Sequence, residues 1–208
     1  MKISIIGYGE LGKQFKDFLF QKNEFNLYLF DDTEYIKSNE FHFKFDDYIS
    51  EKFKKHSFYV ALGYKHLLLK NKIIEELISL NRHLPSYNHS TSFINKSAIL
   101  KESVFIYPMC NVDREVIINR GTLLNNGVIV SHNTIIGNSC YISPGVIISG
   151  NVTIGNCTFI GAGSIISNGL TIGNNVKIGI GTVVTSDISD NSNVIGNPMR
   201  ILKSALNL

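Results

Sequence analysis

The chain has 208 residues, 44% hydrophobic and 18% charged, the proportions of a soluble globular protein with one or two domains. A formal net charge of +3 is too mild for a nucleic-acid partner but suits an anionic small ligand. No long apolar run predicts a membrane span, and the opening MKISIIGYGE lacks a signal peptide's apolar region and cleavage site, so a cytoplasmic protein is expected.

Residues 1–84 are aromatic and lysine-rich. Lys2 to Ile6 reads as a buried strand ending in Gly7-Tyr8-Gly9-Glu10-Leu11-Gly12, after which Leu11, Phe15, Phe18 and Leu19 fall at helical spacing. Phe25 to Phe30 is strand-like and closes on Asp31-Asp32. Strand, glycine turn, helix, strand and acid together make the opening of a nucleotide-binding βαβ unit. The glycines admit a pyrophosphate to backbone N–H groups at the helix N-terminus, and the acid can bind a ribose or base. Phe41 to Phe45 is expected as a strand and Asp46 to Lys55 as a short helix. Ser57 to Leu62 is a buried strand ending on Gly63-Tyr64-Lys65-His66, and Leu67 to Asn81 an amphipathic helix with Leu67, Ile74, Leu77 and Ile78 on its apolar side. Three strand ends, at Gly7, Asp31 and Gly63, point to one crevice, where ligands sit in open α/β sheets. His42 and His66 are expected to face solvent. A segment this short can cradle a nucleoside diphosphate but not easily NAD with a hydride acceptor, which favours a nucleotide sugar over nicotinamide chemistry.

Residues 85–208 have another texture. From Ile94 to Val184 every sixth residue is Ile, Leu or Val without an insertion, and two residues before each stands a small or β-branched residue, with Leu170 the exception. A period of six fits neither helix nor half-buried strand; it is the hexapeptide β-helix repeat, in which three short strands make a triangular coil of eighteen residues. Cys110 and Cys140 belong to the small inward series, whereas Cys157 lies outside both series and is expected on a face. The three cysteines fit no metal or disulfide spacing.

Outward positions are mostly Asn, Ser, Thr, Lys and Gly. His132 stands out as the only histidine after His89, two positions past the inward Val130. A filled β-helix has no internal room for chemistry, so a site must lie on a face, and His132 is the one candidate proton acceptor there. No Ser or Cys nearby is placed as a covalent nucleophile, so any group transfer at His132 would be direct.

These features together resemble the bacterial nucleotide-sugar acetyltransferases: the sialic acid O-acetyltransferases and the N-acetyltransferases of 4-amino-4,6-dideoxy sugars. The resemblance rests on Gly7 to Gly12, Asp31-Asp32, Leu62-Gly63-Tyr64-Lys65, the hexads, Ser131-His132-Asn133 and Gly196-Asn197-Pro198-Met199-Arg200. It implies an α/β N-terminal nucleotide-binding domain (1–84) before a left-handed parallel β-helix with a C-terminal tail (85–208). It also implies acetyl-CoA as co-substrate and a homotrimer with the active site between subunits. By this resemblance Gly7, Tyr8, Gly9, Asp31, Asp32, Gly63, Tyr64 and Lys65 bind the nucleotide sugar, and His132 is the general base. The family's acid after that histidine is Asn133 here, which adds no charge to the ring and tilts the reading toward amine acceptors. Tyr141 stands where a second His often does, and Gly150 matches an oxyanion donor, with Asn168 a coil further along the same trough. Ala162 and Ile180 match pantetheine contacts, and Lys177 and Arg200 are assigned to CoA phosphates. Lys65 and His66 replace the family's usual acidic or amide residues, and no loop interrupts 94–184, so a neighbouring subunit must cover the site. The expected activity is N-acetylation of a nucleotide-linked amino sugar in surface-glycan precursor synthesis. The alternatives are sugar O-acetylation, a non-catalytic nucleotide-sugar-binding trimer, and a nicotinamide oxidoreductase.

Overall fold

The computed structural model describes residues 2–20, 26–32 and 41–202; Phe25 and residues 203–208 of the expected tail lie outside these. The chain divides into two units, Met1–Pro85 and Ser86–Leu208.

In the first unit, β1 (Lys2–Ile6), β2 (Asn26–Phe30), β3 (His42–Phe43) and β4 (Ser57–Val60) pair in parallel in the order β3-β2-β1-β4. The chain moves outward from β1 to β3 and returns to the other side of β1. All four carboxyl ends therefore share one edge, and the strand order reverses at β1. Helix α1 (Glu10–Phe20) buries Phe15 and Leu19, one turn apart, and α2 (Leu67–Ser79) buries Leu67, Ile73, Ile74 and Leu77. Ile78, expected on that apolar side, is half-buried. Helix α2 ends where Asn81 turns left-handed (φ 52°): the Asn81 amide bonds Ile78 O and the Arg82 amide bonds Leu77 O, the paired closure of a Schellman cap.

Between β3 and β4 the expected helix over 46–55 does not form. Two 3-10 turns, Phe45–Ile49 and Glu51–Phe53, replace it, and the strand expected over 41–45 shortens to β3. Ser50 adopts an extended conformation (ψ 139°) that no helix admits, and Arg82 holds that break by donating to Ile49 O at 3.0 Å. The break allows Tyr48 and Phe53 both to enter the core beside Phe30 and Phe58.

His56 is buried, its Nδ1 2.9 Å from Ser4 Oγ and its ring 4.4 Å from that of Tyr28. Burial, reinforced by the Lys2 charge, pushes its pKa below the usual imidazole value. A depressed folded-state pKa means that the unfolded chain binds the proton more readily. The stability linked to His56 is therefore full above about pH 6.5 and is lost as pH falls below it. Urea midpoints at pH 7.5 and 5.5 should show this loss, and His56→Gln should reduce the difference.

The second unit is a left-handed parallel β-helix of two-residue strands. Strands pair with those eighteen residues away, as in Ile129↔Ile147 and Ile147↔Ile165, and form three faces. The first face carries Phe105, Leu123, Tyr141, Phe159 and Lys177 as outward members; the second Asn111, Ile129, Ile147, Ile165 and Val183; the third Ile99, Ile117, Ile135, Thr153 and Thr171. The other residue of each strand points inward, and from Ile106 to Val184 these side chains form one continuous buried column. The hydroxyls and thiols of the small inward series are satisfied there. Thr122 Oγ1 donates to Gly137 O at 2.7 Å and accepts the Cys140 amide at 3.0 Å, while Cys140 Sγ donates to Gly155 O at 3.0 Å. Gly137 and Gly155 admit no side chain, because a Cβ at either would lie 2.6 Å from backbone of the next coil.

Cys157 differs from expectation: it is buried, not on a face. It occupies a left-handed corner position (φ 54°), with Ser139 and Asn175 one coil away on either side, so neighbouring coils cover it. Hexad phase separates inward from outward residues but says nothing of shielding along the stacking axis.

Candidate active site

In the first unit the carboxyl edge of the sheet is drawn together by its two acids. Asp31 Oδ2 accepts the Tyr8 amide at 2.7 Å, tying the end of β2 to the glycine turn after β1. Asp32 Oδ1 accepts the Phe45 amide at 2.9 Å, tying that end to the segment after β3. Gly7 is left-handed (φ 84°), and a Cβ on Gly12 would collide with the Gly7 carbonyl, so the turn closes only with glycine at both places. Among the described residues nothing lies within 4 Å of where a Cβ on Gly9 or Gly63 would stand. Tyr8 is half-buried near the half-buried His42, and Tyr64 carries the exposed Lys65 Nζ 5.9 Å from its ring centre. His66 is exposed, as expected.

A cavity of about 360 Å³ opens next to Phe45, lined also by Asp46, Tyr48, Leu69, Lys72 and Glu76. The Tyr48 hydroxyl donates to Glu76 Oε2 at 2.7 Å, and burial together with that carboxylate raises its pKa well above the usual phenol value.

In the second unit, His132 occupies the corner between the second and third faces, just after the strand Ile129–Val130. Its ring lies over Gly150, one coil on: a Cβ there would sit 2.6 Å from Cε1, 2.7 Å from Nε2 and 3.1 Å from Asn168 Oδ1. The missing Gly150 side chain therefore makes the space that the imidazole edge and Asn168 share. His132 Nδ1 is 2.9 Å from Asn133 Oδ1, and Asn133 Nδ2 donates to Glu115 Oε2 at 2.8 Å. Arg114 Nη1 reaches the same oxygen at 3.3 Å. Sequence reasoning missed Glu115. It stands eighteen residues before Asn133, so the step that linked His132 to Gly150, run in the opposite direction, would have found it.

The remaining candidates lie elsewhere on the prism. Tyr141 is on the first face, where its hydroxyl accepts a hydrogen bond from Asn125 Nδ2 at 3.1 Å, and Lys177 continues that column. Ala162 and Ile180 stack in the corner between the first and second faces, with Ile180 exposed. Arg200 is exposed on a strand, Arg200–Leu202, that runs antiparallel to Asn193–Ile195 at the end of the first face. Within one chain, then, His132, Asn133, Gly150 and Asn168 come together, while Tyr141, Ala162, Lys177, Ile180 and Arg200 form a second group away from that corner.

The bacterial transferase hexapeptide (six repeats) family matches residues 133–168. The fold is shared with the acetyltransferase domain of PglB from Neisseria gonorrhoeae FA1090, solved in complex with acetyl coenzyme A. That chain is 27% identical, with 97% of this chain and 98% of that one covered and a TM-score of 0.84. PerB from Caulobacter crescentus, solved with CoA and GDP-perosamine, superposes over 97% of both chains with a TM-score of 0.87 at 24% identity, a likeness of fold. WeeI from Acinetobacter baumannii AYE is 20% identical, with 97% of this chain and 100% of that one covered and a TM-score of 0.63. No curated protein sequence matches.

The second unit is a coiled prism of hexapeptide repeats, and the comparisons bear out an acyltransferase. Its structural neighbours include acetyltransferases. No helix among the described residues is long and apolar enough to cross a membrane.

Proposed function

We propose that the protein transfers the acetyl group of acetyl-CoA to the amine of a nucleotide-linked amino sugar, in the cytoplasm, as a step toward a surface glycan. The first unit holds the nucleotide. Its pyrophosphate lies against the amides that follow Gly7 at the start of α1, and the cavity beside Phe45 has room for the base. His132 Nε2 takes the proton from the sugar amine as the nitrogen attacks the thioester carbonyl. The Gly150 amide donates to the oxyanion. Collapse forms the amide bond, breaks the C–S bond and sends the proton to the departing CoA sulfur.

The reading is carried by the stacking of His132 over Gly150, which presents an imidazole edge beside backbone cleared of side chain. The complete site belongs to a homotrimer. Two groups of candidate residues sit on different edges of one prism, and a second copy can bring its Ala162–Ile180 corner, with Lys177 and Arg200, against His132 of the first. The second face between those corners supports this: Ile129, Ile147 and Ile165 form an outward aliphatic column exposed at 40%, 37% and 40%, a surface suited to burial against another chain.

The test is CoA release from acetyl-CoA with GDP-, UDP- and dTDP-linked 4-amino-4,6-dideoxyhexoses, each beside its 4-hydroxy analogue. Turnover is expected with an amine and not with its hydroxyl counterpart. Preference for the hydroxyl would replace the proposal with O-acetylation, and binding without any turnover would replace it with a non-catalytic role.

A further inference from the structure

We infer that Glu115 is a positioning residue that sets, through the Asn133 side chain, which nitrogen of His132 carries the proton. The inference deepens the reading of His132 as the base and rests on it. It follows from donors and acceptors alone. A carboxylate only accepts, so the Asn133 atom 2.8 Å from Glu115 Oε2 is the amide nitrogen. That turns Asn133 Oδ1 toward His132 Nδ1 at 2.9 Å. A carbonyl oxygen also only accepts, so Nδ1 carries the hydrogen. In the neutral ring Nε2 is then the nitrogen with the lone pair, and it is the ring edge of Nε2 and Cε1 that lies over Gly150.

Without Glu115 no other described residue holds the amide that way round. Asn133 can turn its NH2 toward Nδ1, which moves the hydrogen to Nε2 and closes the basic edge. Glu115 thus stands in for the acid that the family resemblance places directly after the histidine. Its carboxylate reaches the ring through one intervening amide, and when the ring takes a proton the same chain sets a negative charge behind it.

Coil stacking holds this arrangement. Glu115 and Asn133 occupy equivalent left-handed corner positions (φ 55° and 58°), and the Glu115 amide donates to Ser97 Oγ at 3.0 Å in the coil before. The charged residues at this corner come from that side: Glu115 with Asp113 and Arg114, whose amide donates to Asp113 Oδ1 at 2.6 Å, and the exposed Lys96 one coil earlier. In the coils on the other side the equivalent residues are Ser149-Gly150-Asn151 and Ser167-Asn168-Gly169, none of which titrates. The Arg114–Glu115 ion pair is more than half exposed and too weak to withdraw the carboxylate from Asn133.

The test reads the tautomer itself. In protein labelled with ¹⁵N at histidine, long-range ¹H–¹⁵N spectra should show His132, identified by the signal lost in His132→Ala, as the Nδ1–H form. Glu115→Ala should shift it toward the Nε2–H form. The double variant Glu115→Ala/Asn133→Asp should restore Nδ1–H, because aspartate accepts directly from the ring. With acetyl-CoA and GDP-perosamine, Glu115→Ala should lower kcat by about 10-fold, the scale of losing a partner one step behind a functional histidine, with KM for acetyl-CoA unchanged and with recovery in the double variant. A wild-type ring in the Nε2–H form, or a spectrum indifferent to Glu115→Ala, would overturn the inference. If His132→Ala keeps its turnover the base reading falls, and the spectra still judge the relay separately.

Discussion

Replacing His132 with Ala should lower kcat by about 10²- to 10⁴-fold, the range that a positioned general base contributes. Thermal unfolding should stay near wild type. The ring is half-buried at a corner, and the coil is held on either side of it by the inward Val130 and Thr134, which the substitution leaves in place. KM for acetyl-CoA should hardly move, because in the proposed mechanism the imidazole meets the reacting amine rather than the pantetheine. A loss confined to kcat marks an interaction made only in the transition state. Turnover close to wild type would remove His132 from the mechanism.

Gly150→Ala gives the second large effect, and a more diagnostic one, since it adds a single methyl and removes nothing. The added Cβ would lie 2.6 Å from His132 Cε1 and 2.7 Å from Nε2, inside contact distance, and 3.1 Å from Asn168 Oδ1, so the nearest obstacles are side chains. The ring, at the end of a side chain, gives way and swings off the glycine. Displacement of a base by about 1 Å costs on the order of 10²-fold in rate. Steady-state kinetics with a parallel melting curve checks this: kcat falls while the melting temperature stays near wild type. If Gly150→Ala melts early and keeps its turnover per folded molecule, the glycine is there for packing and the trough does not form the reacting centre.

The β-helix was legible because its determinants are local and repeated. Each hexad from Ile94 to Val184 carries its own instruction, a large aliphatic inward and, Leu170 apart, a small or β-branched residue two positions before it. The structure buries the large aliphatics as one column from Ile106 on, with Ile94 and Leu100 half-buried at its start. The parallel sheet of the first unit was legible for a similar reason: apolar strand runs and a glycine turn lie close together in the chain. Where a segment lacked a period, between β3 and β4, composition suggested a helix. Tertiary contacts from Arg82 and the core demands of Tyr48 and Phe53 imposed two short turns instead. Cys157 was misplaced because its shielding comes from coils above and below, at a separation that hexad phase does not register.

For the candidate site, the sequence singled out His132 and, by one coil's spacing, Gly150 and Asn168. It read Asn133 as an uncharged substitute, and in isolation Asn133 is that. Only the stacked coils show its amide held by Glu115, an interaction between residues eighteen apart that a corner geometry makes adjacent.

What the sequence by itself determined is the scaffold and the candidate for its chemistry: the hexad dictates the prism, and the one histidine among the repeats from Ile94 to Val184 is the candidate for taking up a proton. What only the tertiary structure decided is how that histidine is oriented and which residues share its corner. Side chains at one corner come from separate turns of the coil, and their contacts run along the stacking axis, perpendicular to the chain on which every sequence pattern is written.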